Sequence, residues 1–384
     1  MNIQNIKIII GSNFGDEGKG QMTDYFAHQA KKKNHSCLVV CHNGSAQKGH
    51  TVELKDGTRH IFHHFGSGYF ADADTYFSKE FVISPIFFKQ EFEELKKYNI
   101  KTKLYVNKEC RISIPLDIIL NQEIEKQRGR NRHGSCGYGF FESVKRSQND
   151  KFKITIESIC LKTKEELIKD IFRITKQYFT IRIKELNIAE TNELKKLVFN
   201  KDIIEHYVED LSFFLNICTV VNDYIICNYE EVIFEGEQGL MLDEDNIEYF
   251  PHLTPSHTGL YNPYHIIENL KLNIPVEVCY VTRTYLTRHG AGRLDYECKK
   301  EDINPNIIDL TNIPNDFQGS LRFAKLNVKE LKNRIEKDFS LVKNKKNYFY
   351  SIAVMHENER YINELKNEKY HSNGSTRESI KENN

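Results

Sequence analysis

The sequence predicts an α/β protein built on a central, mostly parallel sheet flanked by helices. Three observations carry that prediction. A strand-sized apolar run, "KIII" at residues 7–10, passes through a glycine cluster directly into a helical pattern. Runs of this kind alternate with helical stretches along the chain. No repeat or low-complexity linker divides it, so one elaborated domain spanning 1–384 is expected.

The elements follow in order. "GQMTDYFAHQAKK" places Met22, Phe26 and Ala30 on one helical face, and "CLVVCHNG" reads as a second buried strand. "GHTVELKDGTRHIFHH" has the form of a hairpin around Asp56-Gly57. "SPIFFKQEFEELKKYNI" reads as a helix with Pro85 in its first turn and Ser84 as its cap. From about Leu161 to Tyr224 the pattern is helical, broken near Asn187 and Asn200. Strands return at "EEVIFEG" and "VEVCYVTRTYL". "NVKELKNRIEKDF", "YFYSIAVM" and "RYINELKNEK" then read as helix, strand and helix, and the polar end "KENN" is expected to fray.

Composition excludes several function classes. Fifty-four basic and 54 acidic residues cancel, so no bulk charge draws the chain to nucleic acid or anionic lipid. The 24 Phe and 20 Tyr are spread as core residues, not interleaved with a basic patch. No apolar run reaches the roughly 20 residues of a membrane span. "MNIQNIKIII" lacks the basic start and long apolar stretch of a secretory signal, and a cytoplasmic location is expected. Nine cysteines without a C-x-x-C pair do not suggest a disulfide framework or zinc cage. His60, His63 and His64 lie on a presumed hairpin edge, where zinc is not expected, and "DEDNIE" lacks the glycine of a calcium loop.

The chemistry concentrates in "GDEGKG", residues 15–20. Its glycines let a ligand approach the main chain, amides at the helix start face an anion, and Lys19 can reach a phosphate. Asp16 and Glu17 have no use in a plain phosphate cradle, but they suit a site that binds Mg2+ or moves a proton. The hexad is not a P-loop, because Gly20 stands where Ser or Thr is required. Taken alone, a bland glycine turn remains an open alternative.

The hexad does not stand alone. "GSNFGDEGKGQMTDYF", "NGSAQKGHT", "FEGEQGLMLDEDNIEYFPHLTPSHTG" and "YLTRHGAGRLDYE" occur in this order over nearly 300 residues. Together they resemble adenylosuccinate synthetase, the purine-pathway ligase that joins aspartate to IMP with GTP. The resemblance implies that family's P-loop-like fold, with the helical section at about 161–224. It further implies an enzyme that phosphorylates the purine O6 and displaces the phosphate with the aspartate amine. By the same resemblance Asp16 is the base at N1 and a Mg2+ ligand, His50 is the general acid, and Gly49 lends a carbonyl to the metal. Gly15, Glu17, Gly18, Lys19, Gly20 and Thr51 hold the nucleoside triphosphate. Gln47, Gln238, Thr254 and Ser135 contact the purine nucleoside monophosphate. Lys145 or Arg146 falls where the family offers an arginine to a neighbouring subunit, which implies a homodimer.

The departures shape the expected substrates. The family's arginine-rich aspartate loop is thinned here to "DFQGSLRFAKL", leaving Arg322 and Lys325, with Arg288 and Arg293 nearby. Arg322 and Arg288 are the candidates for the amine donor's carboxylates. The family's guanine-reading Lys-Leu-Asp becomes "VMHEN", in which Glu357 can accept from a purine amino group, so ATP or dATP stands beside GTP. Ser372 and Gly374 of "SNGS" match the family's terminal turn. The short chain also resembles a viral branch that makes 2-aminoadenylosuccinate from dGMP. That branch typically lacks the hexad Asp, and Asp16 favours IMP. A non-catalytic nucleotide sensor of the same fold is the alternative from another class.

Overall fold

The protein is described here by a computed structural model covering residues 2–129, 135–307, 320–343 and 345–383. One large sheet organises it. In chain order its strands are β1 (Asn5–Gly11), β2 (Cys37–Cys41), β3 (Asp74–Phe77), β4 (Leu104–Asn107), β5 (Thr219–Val221), β6 (Glu231–Gly239), β7 (Val276–Arg283), β8 (Tyr348–Met355), β9 (Tyr370–Ser372) and β10 (Ile380–Glu382). They lie side by side as β10-β9-β8-β7-β1-β6-β2-β3-β4-β5. Every pairing is parallel except β9 with β10. All residues of β2 and β7 are buried, as expected for strands covered on both faces.

The helices cover the two faces. α1 (Lys19–Lys32) buries Met22, Phe26, Ala27 and Ala30 against Ile9, Val39, Ile233 and Cys279. α2 (Pro115–Arg128) and α3 (Phe140–Ser147) follow β4, and the helical section comprises Lys164–Glu185, Asn192–Val198 and Lys201–Ile217. Phe77, Phe88, Val106, Leu211 and Phe214 lie in the core that unites this section with the sheet. α4 (Val328–Phe339) contributes Leu331, Ile335 and Phe339 to a core shared with Ile8, Phe234 and Val278. Each such fully buried side chain contributes about 1.5–3 kcal/mol relative to exposure.

The expected hairpin is present, with His50–Glu53 paired antiparallel to Arg59–Phe62. Ser84 does occupy the N-cap position of the Pro85–Leu95 helix, but its side chain makes no capping bond. Three expectations are corrected. "VEVCYVTRTYL" is not one strand: it divides at Thr284, and Tyr285–Arg288 joins a separate antiparallel sheet with Arg322–Lys325 and Glu297–Cys298. "RYINELKNEK" forms only a short 3-10 turn, Asn363–Leu365, before β9. The polar C-terminus, expected to fray, supplies edge strand β10.

Candidate functional site

The site lies where β1 and β6 end, since side chains and loops at the carboxyl edge of a parallel sheet are free to surround a ligand. After Gly11 the chain turns through Ser12–Gly18 into α1. Gly15 has φ 117° and Gly18 φ 101°, a region that favours glycine. A Cβ on Gly15 would come within 2.8 Å of Gln238 Cα, so the loop and the exit of β6 interlock. Gln238 itself sits at φ 61°. The Met241 amide then donates to the Asn13 carbonyl at 2.9 Å.

Glu17 and Lys19 brace this loop from within. Glu17 Oε1 accepts the Asn13 and Gly15 amides at 3.2 and 2.8 Å. Burial raises the Glu17 carboxyl despite Lys19, whose Nζ lies 3.7 Å from Oε2 and donates to the Gly15 carbonyl at 2.5 Å. The Glu17 carboxylate therefore occupies amides of its own loop.

His50 packs on the first turn of α1, where a Cβ on Gly20 would lie 3.0 Å from the His50 Cβ. Its Nδ1 is 2.8 Å from Glu235 Oε1. The other carboxylate oxygen of Glu235 accepts from Lys48 Nζ and the Ser67 amide, each at 3.2 Å. Because a carboxylate only accepts, Nδ1 carries the proton and a neutral His50 presents Nε2 as an acceptor. Burial pushes the imidazole down to about 4, against the opposing pull of Glu235. Burial also acts to raise Glu235, but Lys48 and His50 outweigh it and hold the carboxyl well below the usual range.

Asp16 is half-buried. Its main-chain carbonyl accepts from Arg283 Nε, and its carboxylate Oδ2 lies 3.8 Å from His289 Nε2. Gly49, one residue before His50, is exposed. A half-exposed carboxylate and an accessible carbonyl are hard oxygen donors, the chemistry Mg2+ prefers. Among nearby buried groups, Thr254 Oγ1 lacks a hydrogen-bond partner among the described residues, while the Gln47 side-chain amide faces the Glu237 carboxylate. Glu237 Oε2 accepts the Ser45 amide at 2.9 Å, and burial lifts this carboxyl to about 8. The Ser135 hydroxyl, by contrast, donates to Asn121 Oδ1 at 2.9 Å.

The opposite ends of the chain meet beside α1. The Gln21 side-chain amide donates to the Gly374 and Thr376 carbonyls at 2.9 and 2.7 Å, with Ser372 Oγ at 3.1 Å. Glu357 donates its amide to the Ser372 carbonyl at 3.1 Å, while its carboxylate pairs with His371 Nδ1 at 2.9 Å. Thr51 follows His50, and its carbonyl lies against Gly20.

The arginines divide sharply. Arg146 is corrected outright: it is fully buried, with Nε and Nη2 each 2.9 Å from an Asp117 oxygen and further bonds to the Phe152 and Ile112 carbonyls. A guanidinium so enclosed is not available to another subunit, whereas Lys145 beside it is exposed. Arg322 is engaged at the surface. Its fork pairs with Glu297 at 2.8 and 2.5 Å and its Nη1 reaches the Gly290 and Gly292 carbonyls. Arg288 differs from both. It is buried over the rings of Phe14 and Tyr249 and bonds only to the carbonyls of Arg293 and His252, with no carboxylate partner among the described residues. Burial lowers it to about 10, helped by the charge of Arg322. Residues 308–319, which hold the first half of the "DFQGSLRF" segment, lie outside the described residues.

Sequence reasoning missed four contributors: Glu235, Arg283, His289 and Arg334. Arg334 reaches from α4 to Asn13 Oδ1 at 2.6 Å. Glu235 carried a readable signal, because glutamates at 235 and 237 in a strand that is buried nearly throughout are costly to bury without a purpose. Arg334 carried none, as it reads as one more charge on an amphipathic helix.

A family model described as adenylosuccinate synthetase matches residues 8–316. The adenylosuccinate synthetase of Lactobacillus acidophilus is 31% identical over 299 residues, 76% of this chain and 65% of the relative. That of Mesoplasma florum is 27% identical over 307 residues, covering 77% and 66%. The matched region thus spans about two-thirds of the length of these relatives. Among solved structures, the fully ligated Plasmodium falciparum adenylosuccinate synthetase superimposes with TM-score 0.60 at 20% identity, over 92% of this chain and 77% of that one. The cyanophage S-2L succinoaminodeoxyadenylate synthetase, bound to dGMP and dATP, gives 0.63 at 14% identity over 99% and 95%. At these identities the two structures speak to the fold. The extent of the family match decides membership: this chain belongs to the adenylosuccinate synthetase family.

Proposed function

We propose that the protein is a C–N bond-forming ligase that condenses L-aspartate with a purine nucleoside monophosphate, IMP first, at the expense of a nucleoside triphosphate. The observation that carries this reading is the placement of His50. Its imidazole lies on the first turn of the helix that the Asp16 loop opens, with its tautomer set by Glu235. Asp16, as base, withdraws the N1 proton so that O6 attacks the γ-phosphoryl group, and the nucleoside diphosphate leaves as the β–γ bond breaks. His50, once protonated, donates to the transferring phosphoryl oxygens and steadies their charge. The aspartate amine then adds at C6, and inorganic phosphate leaves with the former O6. Mg2+, when bound, would be held by Asp16 and the Gly49 carbonyl and would neutralise phosphate charge.

The remaining roles follow the pocket. The triphosphate takes the amides of Gly18 and Gly20 at the start of α1; the Gly15 amide must first be released by Glu17, and Lys19 must leave the Gly15 carbonyl, to join them. Glu357, Ser372, Gly374 and Thr51 border its far end. Gln47, Gln238, Thr254 and Ser135 hold the monophosphate nucleotide, and the buried Thr254 hydroxyl, without a partner among the described residues, supports this because buried polar groups ordinarily find partners. Arg288 takes the amine donor's carboxylate.

A second reading, a dGMP acceptor with dATP as donor, is favoured by the match in extent to the cyanophage enzyme, 99% of this chain against 95% of that one. One assay separates them. The chain is incubated with Mg2+, aspartate, each of GTP, ATP and dATP, and each of IMP, dIMP, GMP and dGMP, and succinyl-nucleotides are sought by mass. Product with IMP is expected; product with dGMP alone favours the second reading. Tight binding without product identifies a sensor. Asp16→Asn should lower amine-dependent turnover by about 10²–10⁴-fold without unfolding the chain.

A further inference from the structure

Resting on the reading of Asp16 as the base, we propose that His289 is a positioning residue for the Asp16 carboxylate, presented on a turn that Arg322 clasps.

His289 directly follows the strand Tyr285–Arg288. Its Nε2 lies 3.8 Å from Asp16 Oδ2, with side-chain exposures of 19% and 26%, so both groups border accessible space. That separation is within ion-pair range and closes to a hydrogen bond with a shift of about 1 Å. The Asp16 backbone is already anchored through its carbonyl to Arg283. Such an anchor leaves the orientation of the carboxylate about its own torsions to whatever faces it, and His289 is the ionisable side chain paired with it. A donor on Oδ2 fixes the plane in which the carboxylate meets the purine N1 proton and would meet Mg2+.

The turn carrying His289 is built for that presentation. Gly290 has φ 70° and Gly292 φ 106°. Arg322 Nη1 donates to their carbonyls at 3.2 and 2.8 Å, and the rest of its fork grips Glu297. Arg322 pairs across the small sheet with Arg288, the residue immediately before His289. The arginine expected to bind substrate thus holds in place the loop that faces the base. A guanidinium fork suits this task because its donors are fixed in one plane.

The test is steady-state kinetics on His289→Leu and His289→Gln, two side chains of similar size of which only glutamine offers an N–H. The leucine variant should lose about 10- to 100-fold in kcat, the scale of a misplaced catalytic group, with KM for the nucleotide within about threefold. Glutamine should restore kcat to within about threefold of the parent. The double variant Asp16→Asn/His289→Leu should be no slower than Asp16→Asn alone, since the two act as a unit. Parental kcat in the leucine variant, equal losses in both single variants, or additive losses in the double variant would overturn the inference. If Asp16→Asn retains full turnover, the assignment of the base fails instead, which separates the two failures. Thermal midpoints of each variant exclude loss of fold as the cause.

Discussion

The region around Arg146 and the rim of the site solve opposite problems with the same kinds of residues. Behind α2 and α3, Arg146 is sealed from solvent, yet its guanidinium meets Asp117 through two nitrogens and two backbone carbonyls as well. Asp117 in turn accepts the Ile114 amide at 2.9 Å and so caps α2. At the site, Arg288 and Thr254 are enclosed but incompletely met: Arg288 Nε and Thr254 Oγ1 are buried without a partner among the described residues. Desolvating such atoms costs free energy, and a fold keeps the cost where a ligand will later cancel it. The comparison teaches that burial alone does not separate a scaffold arginine from a ligand-seeking one. The presence of an acid beside it does.

The strongest way to break the comparison is Arg146→Met. It strands Asp117 in the interior and should cost about 3–5 kcal/mol, read as a lower urea midpoint. Asp117→Leu added to it should recover much of the loss. Turnover per folded molecule should stay parental, and a specific loss of nucleotide affinity would restore Arg146 to the site.

Glu237 tests the opposite region through pH. Its folded value of about 8 lies above the ordinary 4.5, so it favours the folded state fully below pH 4.5. As pH rises from 4.5 to 8 the unfolded chain ionises first and that stability is lost. Glu237→Gln should therefore leave the melting midpoint unchanged at pH 4 and raise stability by roughly 2–4 kcal/mol at pH 8. Equal effects at both pH values would mean that Glu237 is ionised in the fold.

The smallest effect is expected of Arg288→Met. Removing a buried cation with no acid partner should change stability by less than about 1 kcal/mol. KM for aspartate should rise about tenfold, the equivalent of about 1.4 kcal/mol. A large stability loss with unchanged KM would place Arg288 with Arg146, as scaffold.

Much of the fold was legible from local pattern. The strand–glycine–helix entry, the hairpin after Gly49 and the helical section broken near Asn187 and Asn200 all appear where short-range rules place them, because periodicity and turn chemistry act over a few residues. The division of "VEVCYVTRTYL" at Thr284 was not legible, since both halves are equally apolar and only the sheet each one joins tells them apart. "RYINELKNEK" has helical composition, yet its residues are needed to lead the chain into β9.

The amino-acid sequence by itself determined the α/β class and the carboxylate-bearing glycine loop, because each resides in contiguous residues whose geometry is set by their neighbours in the chain. Only the tertiary structure decided the fate of the charged groups. Glu17 turned inward, Arg146 and Arg322 were taken by Asp117 and Glu297, and His289 arrived opposite Asp16 from 273 residues away. A charge takes its role from the partner that compensates it, and those partners came from distant segments that no local pattern links.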